Sequence, residues 1–187
     1  MPLPADLSDP ELIVRTIDRD DRGAFGELVL RHQSCVRCFL RKLLRGDAAA
    51  ADDLAQQTFI TAFKNLARFR GQASFRTWLL GIAHNEFRNE KRKRQEIPYG
   101  LQSADTATMI APSGFSDGEL SHALGDALQK LDVEEALALH LCYQTGLTHV
   151  EAAAVLGVPI GTLKTHVLRG KEQLRRLLAA WNPGHEL

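Results

Sequence analysis

Residues 52–94 read DDLAQQTFITAFKNLARFRGQASFRTWLLGIAHNEFRNEKRKR, and their pattern decides the fold of the first half of the chain. They predict a helix with a polar face, a basic and aromatic turn, and a second helix that ends in a cationic run. Aromatic rings among arginines and lysines suit single-stranded nucleic acid, because rings stack on bases while cations follow the phosphates. Phe69, Phe75 and Trp78 can equally be core residues at a helix junction, and composition leaves both interpretations open.

The formal net charge of zero hides a segregation of charge along the 187 residues. Residues 64–94 carry 9 basic and 2 acidic side chains, whereas residues 95–158 carry 1 and 9, which suggests contact with nucleic acid. No apolar run approaches the roughly 18 residues of a membrane-spanning helix, and the first ten residues lack the basic start of a signal peptide. We therefore expect a cytoplasmic chain without membrane insertion.

Two helices are predicted before this stretch. Ser8 or Asp9 caps the first, Pro10 lies in its first turn, and the break at residues 20–23 ends it. The second is amphipathic from Phe25 to Leu44 and ends at residues 45–47.

The two helices within residues 52–94 each combine an apolar stripe with a polar face, on either side of a turn that pivots at Gly71. The predicted buried stripe of the first is Leu54, Phe59, Ile60, Phe63, Leu66 and Ala67, and its predicted outer residues are Asp53, Gln56, Gln57 and Lys64. The predicted stripe of the second is Phe75, Trp78, Leu79, Ile82, Ala83 and Phe87, and its outer residues are Arg76, Asn85, Arg88, Asn89, Lys91 and Arg92. A polar face of this kind is either a solvated surface or a platform for another protein, and periodicity does not distinguish the two.

Cys35 and Cys38 lie three residues apart on one face of the second predicted helix. With His32 as a third ligand they can supply most of a zinc site, or they can form a redox pair. The local sequence offers no fourth ligand, so buried or idle thiols are the alternative.

Residues 95–116 lose all helical periodicity and contain two prolines, two glycines and no basic residue, which predicts a linker. The predicted architecture is all-α, with small helical domains at residues 1–94 and 117–187. A capping box at residues 116–119 opens the second domain, and a further helix is predicted from Val133 to Tyr143.

A helix-turn-helix is predicted near the C-terminal end of the second domain. Thr148 begins its first helix with a capping box, and small Ala153 lets the two helices approach. Gly157 accepts the tight turn, and Leu163 and Val167 pack inward. The residues left to face a DNA major groove are Thr162, Lys164, Thr165, His166, Leu168 and Arg169. A plain helical hairpin is the alternative.

Residues 10–94 and 117–180 together resemble the bacterial sigma factors of the extracytoplasmic-function (ECF) group. The resemblance is carried by DDLAQQTFITAFKNLARFRG, SFRTWLLGIAHNEFRNEKR and LTHVEAAAVLGVPIGTLKTHVLRGKEQLR. It implies a promoter-melting domain and a −35-reading domain joined by a linker. It also implies a polymerase subunit without catalytic activity, cofactor or metal.

The resemblance assigns roles to residues of this sequence. It places docking on the polymerase β′ coiled coil at Asp53, Gln56, Gln57 and Phe59. It places recognition and opening of the −10 element at Phe69, Arg70, Gly71, Gln72, Ser74, Phe75, Arg76, Trp78, Asn85, Arg88, Asn89, Lys91 and Arg92. It places −35 recognition at Thr162, Lys164, Thr165, His166, Leu168, Arg169 and Lys171. Gln57 and His166 depart from the acidic and basic residues that are usual there.

The implied partners are core RNA polymerase, through its β′ coiled coil and β flap, promoter DNA in duplex and single-stranded form, and an anti-sigma factor. One alternative is a stand-alone regulator, because residues 162–166 also resemble the recognition helix of LuxR-type activators. Another is a thiol or zinc switch at Cys35 and Cys38.

Overall fold

The computed structural model of the chain describes residues 7–96 and 118–179. Within these ranges the structure is helical and contains no strand. The α-helices are α1 (Asp9–Arg19), α2 (Arg22–Leu43), α3 (Ala48–Asn65), α4 (Phe75–Glu96), α5 (Gly118–Gln129), α6 (Val133–Leu139), α7 (His149–Leu156) and α8 (Ile160–Leu177). Helices α1–α4 belong to one compact unit and helices α5–α8 to another.

The predicted linker needs one correction at its start, because Gln95 and Glu96 belong to α4. The rest of that segment, residues 97–116, lies outside the described residues, and so do Ser116 and Asp117 of the predicted capping box. None of the helices in residues 7–96 and 118–179 is long and apolar enough to cross a membrane.

Polar contacts near the first helix connect α1 to α2. The Glu11 carboxylate accepts hydrogen bonds from the backbone N–H and the hydroxyl of Ser8, at 2.7 and 2.6 Å, and fixes the start of α1. α1 ends at Arg19, and the residue that follows it, Asp20, has a left-handed φ of 49°. Arg31 of α2 then donates to the carbonyl of Leu7 at 2.7 Å. The predicted limits of both helices are confirmed to within three residues.

Helix α3 packs against both α2 and α4, and its buried side differs from the predicted one. Leu54, Phe59 and Leu66 are buried as predicted, but Ile60, Phe63 and Ala67 are exposed. Small side chains occupy the buried positions in their place, namely Ala51, Ala55, Thr58 and Ala62. Small residues let the α3 backbone lie close to its two neighbours, and Thr58 satisfies its buried hydroxyl by donating to the carbonyl of Leu54 at 2.7 Å.

Helix α8 packs against α6 in the second unit, with Gly170 at the contact. A Cβ atom added at Gly170 would meet Leu139 Cδ1 at 2.9 Å and Glu135 Cβ at 3.3 Å, so any larger residue requires its neighbours to shift. Ala153, Leu163 and Val167 are buried as predicted, and Thr148 caps α7. Gly157 turns the chain with a φ of 65°.

The predicted helix from Val133 to Tyr143 consists of two parts. After α6, residues 140–144 form a π-helical turn in which the N–H of Thr145 bonds the carbonyl of His140 at 2.9 Å. Such a turn holds one residue more than an α-helical turn, and periodicity did not predict it.

Candidate nucleic-acid interface

Three aromatic rings pack together where the turn at residues 69–74 meets α4. The ring centroid of Phe69 lies 5.8 Å from that of Phe75 and 5.1 Å from that of Trp78, and Phe75 lies 5.7 Å from Trp78. The Phe75 ring also meets the buried imidazole of His32 edge-on at 5.3 Å. The prediction of Phe75 as a DNA-contacting ring is therefore wrong, because only 4% of its surface is exposed. Phe69 and Trp78 are half-buried and keep part of their rings accessible.

The turn itself is shaped by backbone geometry and one cap. Gly71 adopts a φ of 67°, which confirms it as the pivot. The Ser74 hydroxyl accepts a hydrogen bond from the N–H of Thr77 at 3.1 Å and so caps α4. Ser74 therefore has a structural task, whereas Arg70 and Gln72 expose their side chains to solvent.

A polar and cationic face runs along α4 from the aromatic cluster. Asn85, Arg88, Asn89 and Arg92 line one open depression. Trp78 lies seven residues before Asn85, and this spacing puts the ring on the same side of the helix. Arg76 and Lys91 are exposed as well. His84, beside this face, has a pKa lowered by burial and by the charge of Arg88.

Helix α8 carries the residues that were predicted to read the −35 element, and most of them are exposed. Its inner side is fixed by buried Leu163, Val167 and Gly170. The exposed predicted residues are Thr162, Lys164, Thr165, Leu168 and Arg169, whereas His166 and Lys171 are half-buried. Lys171 places its Nζ atom 4.5 Å from the centre of the Tyr143 ring, a contact that the sequence pattern did not indicate.

The outer face of α3 carries polar side chains in its first half and exposed apolar side chains in its second half. Asp53, Gln56 and Gln57 are exposed as predicted. Phe59, predicted as a docking residue, is only 8% exposed, so its side chain is part of the core and that prediction is wrong. Ile60 is 47% exposed and lies four residues after Gln56, on the same face. That spacing was the signal that sequence reasoning missed.

The thiols do not come together with a third metal ligand. His32 directs its Nε2 atom to Asp9 Oδ2 at 2.7 Å. Burial raises the pKa of the Cys35 thiol, and Cys38 is exposed. In the described part of the chain, no group of three or more His, Cys, Asp or Glu side chains is arranged to hold a metal ion.

Comparison with known families follows the division into two units. The family model for Sigma-70 region 2 matches residues 28–97, and that for Sigma-70, region 4 matches residues 121–174. The RNA polymerase sigma-H factor of Pseudomonas aeruginosa is 30% identical over 189 residues, which cover 91% of this chain and 93% of that protein. The ECF RNA polymerase sigma factor EcfG of Rhodopseudomonas palustris is 32% identical over 135 residues, which cover 72% and 75%. The chain belongs to the ECF group of RNA polymerase sigma factors.

This sigma factor also resembles a sigma factor of known structure. The sigma factor RpoE of Bartonella quintana, solved in complex with the anti-sigma factor NepR, superimposes with a TM-score of 0.64 at 28% identity. The match covers 83% of this chain and 96% of that one. As a sigma factor, the protein binds RNA polymerase and directs it to promoter DNA for initiation. The alternative of a stand-alone LuxR-type regulator is not supported, because it leaves the region 2 match without a role.

Proposed function

We propose a division of labour in which residues 1–94 dock on core polymerase and open the −10 element, while residues 117–187 read the −35 element. The observation that carries this proposal is the outer side of α4. There the half-buried Trp78 ring shares one helix face with Asn85, Arg88, Asn89 and Arg92. Rings for stacking next to cations for phosphates are what a separated DNA strand requires.

In the −10 site, Phe69 and Trp78 offer the accessible ring surface and Phe75 supports them from the core. Stacking on aromatic rings contributes about 1–3 kcal/mol per unpaired base, and it acts only after strand separation. Gln72, exposed at the tip of the turn, is positioned to meet a base leaving the duplex.

The test compares transcription from a duplex promoter with transcription from the same promoter already mismatched across the melted bases. Gln72→Ala should lower activity on the duplex more than on the mismatched template. Arg22→Ala, which changes an exposed residue at the start of α2, is the control and should alter neither. Ser74 is unsuitable for this test because it caps α4. Equal losses on both templates would contradict a melting role for the turn.

For polymerase docking we propose the outer face of α3, on which exposed Asp53, Gln56 and Gln57 are followed by the exposed apolar side chains of Ile60 and Phe63. Protein interfaces combine apolar side chains with polar groups beside them, and a few well-packed side chains carry most of the binding energy. By resemblance the partner surface is the β′ coiled coil, and the second unit contacts the β flap.

The docking test is a pull-down of core polymerase. Ile60→Ala should weaken binding about tenfold, the effect of losing about 1.4 kcal/mol at an interface hot spot. Val14→Ala removes an exposed apolar side chain from α1 and serves as the matched control. The double variant Asp53→Ala, Gln56→Ala should melt like the parent, since both side chains are exposed, yet lose the core enzyme. Undiminished binding by both Ile60→Ala and the double variant would refute this docking face.

For the −35 element we propose α8 as the reading helix, with Lys164 and Arg169 exposed on its outer side. Replacement of a base-contacting arginine costs about 1–3 kcal/mol and relaxes specificity at one position, whereas loss of a phosphate contact weakens all sequences equally. Arg169→Ala and Lys164→Ala should therefore change promoter binding, while Lys130→Ala, exposed elsewhere in this unit, should not. Parent-like transcription of every promoter by the α8 variants would disprove the assignment.

We further propose that an anti-sigma factor binds this protein, as NepR binds the similar sigma factor of Bartonella quintana. The protein would then act in the cytoplasm as a dissociable subunit without chemistry of its own. Capture of the inhibitor by tagged protein, followed by its release on addition of core polymerase, is the expected result. An inhibitor and a polymerase bound at the same time without competition would contradict this role.

A further inference from the structure

An aromatic ring and a lysine meet on the surface of the second unit. Tyr143 lies in the π-helical turn at residues 140–144 and is 57% exposed. Lys171 of α8 places its Nζ atom 4.5 Å from the centre of this ring, within the range of a cation–π interaction. The contact thus links the turn after α6 to the fourth turn of α8.

Lys171 belongs to a cationic edge of α8. Lys164, Leu168, Lys171 and Arg175 follow one another at steps of four, three and four residues, which is the spacing of one helix side. In a helix-turn-helix, the first residues of the reading helix meet the base edges in the groove. Lys171, two turns after Lys164, is therefore placed for the sugar-phosphate backbone at the border of the groove.

The Tyr143 ring holds the Lys171 ammonium group without neutralising its positive charge. A carboxylate would also hold the ammonium group, but it would neutralise the charge that attracts a phosphate. Within the part of the chain that the structure describes, no carboxylate lies at ion-pairing distance from Lys171, and the neighbouring Glu172 lies about 100° further round the helix. The charge also reaches the Cys142 thiol, whose pKa is raised by burial and partly lowered by Lys171.

We propose that Tyr143 is a positioning residue for promoter binding, which holds the Lys171 ammonium group over its ring and presents it to a backbone phosphate at the edge of the −35 element. This inference rests on the proposed role of α8 as the reading helix. A lysine has a flexible four-carbon stem, and the ring restricts it before DNA arrives. The restriction lowers the entropy lost on binding.

The experiment uses the holoenzyme, which is this protein bound to core polymerase, and a duplex promoter fragment that it protects in a footprint. The affinity of the holoenzyme for this fragment is measured at a series of KCl concentrations. Lys171→Gln should reduce the slope of log affinity against log salt by about 0.9, the value for one phosphate contact on duplex DNA. Tyr143→Leu should weaken binding about two- to fivefold, as expected for an exposed cation–π contact. It should cause no further loss in the Lys171→Gln background. Tyr143→Phe keeps an aromatic face and should bind within twofold of the parent.

Two results would overturn the inference. The first is that Tyr143→Leu binds the promoter fragment as tightly as the parent does. The second is that Tyr143→Leu weakens binding equally in the parent and in the Lys171→Gln variant, which would mean that Tyr143 only stabilises the fold. Melting curves of each variant accompany the titrations. Lys164→Ala and Arg169→Ala in the same assay separate this inference from the proposed function. If they weaken binding and Tyr143→Leu does not, only the positioning role fails, and if neither weakens binding, the reading helix and the inference fail together.

Discussion

The packing of Gly170 in α8 against α6 predicts a specific cost for one added methyl group. In Gly170→Ala the new Cβ would lie 2.9 Å from Leu139 Cδ1 and 3.3 Å from both Leu139 Cγ and Glu135 Cβ. Ordinary contacts between carbon atoms are about 3.5–4.0 Å. Leu139 and Glu135 are both buried, so rotation of one side-chain end cannot relieve all three contacts.

Two effects of opposite sign determine the size of the change. Alanine favours a helix interior over glycine by about 1 kcal/mol, and overpacking of a close-packed core costs about 1–3 kcal/mol. Gly125→Ala, in the middle of α5, is the matched control because nothing lies within 4 Å of its added Cβ. The propensity gain is common to both variants and cancels in their difference. Gly170→Ala should therefore be less stable than Gly125→Ala by about 1–3 kcal/mol.

Urea unfolding of the full chain, followed by circular dichroism, measures this difference. Hydrogen exchange of the α8 amides assigns the transition to the second unit. Equal stabilisation by the two substitutions would refute the argument, since it would show that α8 can withdraw from α6 at no cost. A destabilised Gly170→Ala should in addition bind promoter DNA less tightly, because the reading helix must shift.

Three other outcomes follow from burial and pKa. Phe59→Ala should lower the free energy of unfolding by about 3–5 kcal/mol, as for other buried phenylalanines. The control Gln57→Ala, on the outer face of α3, should change that free energy by no more than about 0.5 kcal/mol. A parent-like melting curve for Phe59→Ala would place that ring outside the core. Hydrogen bonds from Arg15 and from the N–H groups of Ala24 and Gly23 lower the pKa of Asp21. The ionised carboxylate therefore stabilises the fold at pH values above its ordinary pKa of 3.8. This stabilisation is lost as the pH falls through the lowered pKa of the folded state. The gap in melting temperature between the parent and Asp21→Asn should accordingly close on acidification, and a gap that persists in strong acid would exclude this cause. Because burial raises the pKa of the Cys35 thiol while Cys38 is exposed, iodoacetamide at neutral pH should alkylate Cys38 before Cys35. Mass spectrometry of the digested protein at successive times measures this order. Earlier modification of Cys35 would contradict the argument.

Local patterns in the sequence determined where helices begin and end. The cap at Ser8, the capping box at Thr148 and the turn glycines Gly71 and Gly157 each act within a few residues. The helix-turn-helix was predictable for the same reason, since its turn and its inward residues lie close together in the chain. Two ordered motifs on either side of residues 95–116 then sufficed to indicate the family.

Tertiary packing decided which side of each helix faces the core. Phe59 and Ile60 are adjacent and similarly apolar, yet the first is buried and the second exposed, because α3 packs against its neighbours through alanines. The same applies to Phe75, which packing on His32 makes a core residue, and to Gly170, whose role depends on a helix some thirty positions earlier. Periodicity records the angle between residues of one helix. It contains no information on the distance to the neighbouring helix or on which side chains of that helix lie opposite. Both decide which residues are buried, where two helices come close, and which contacts form, such as that between Tyr143 and Lys171.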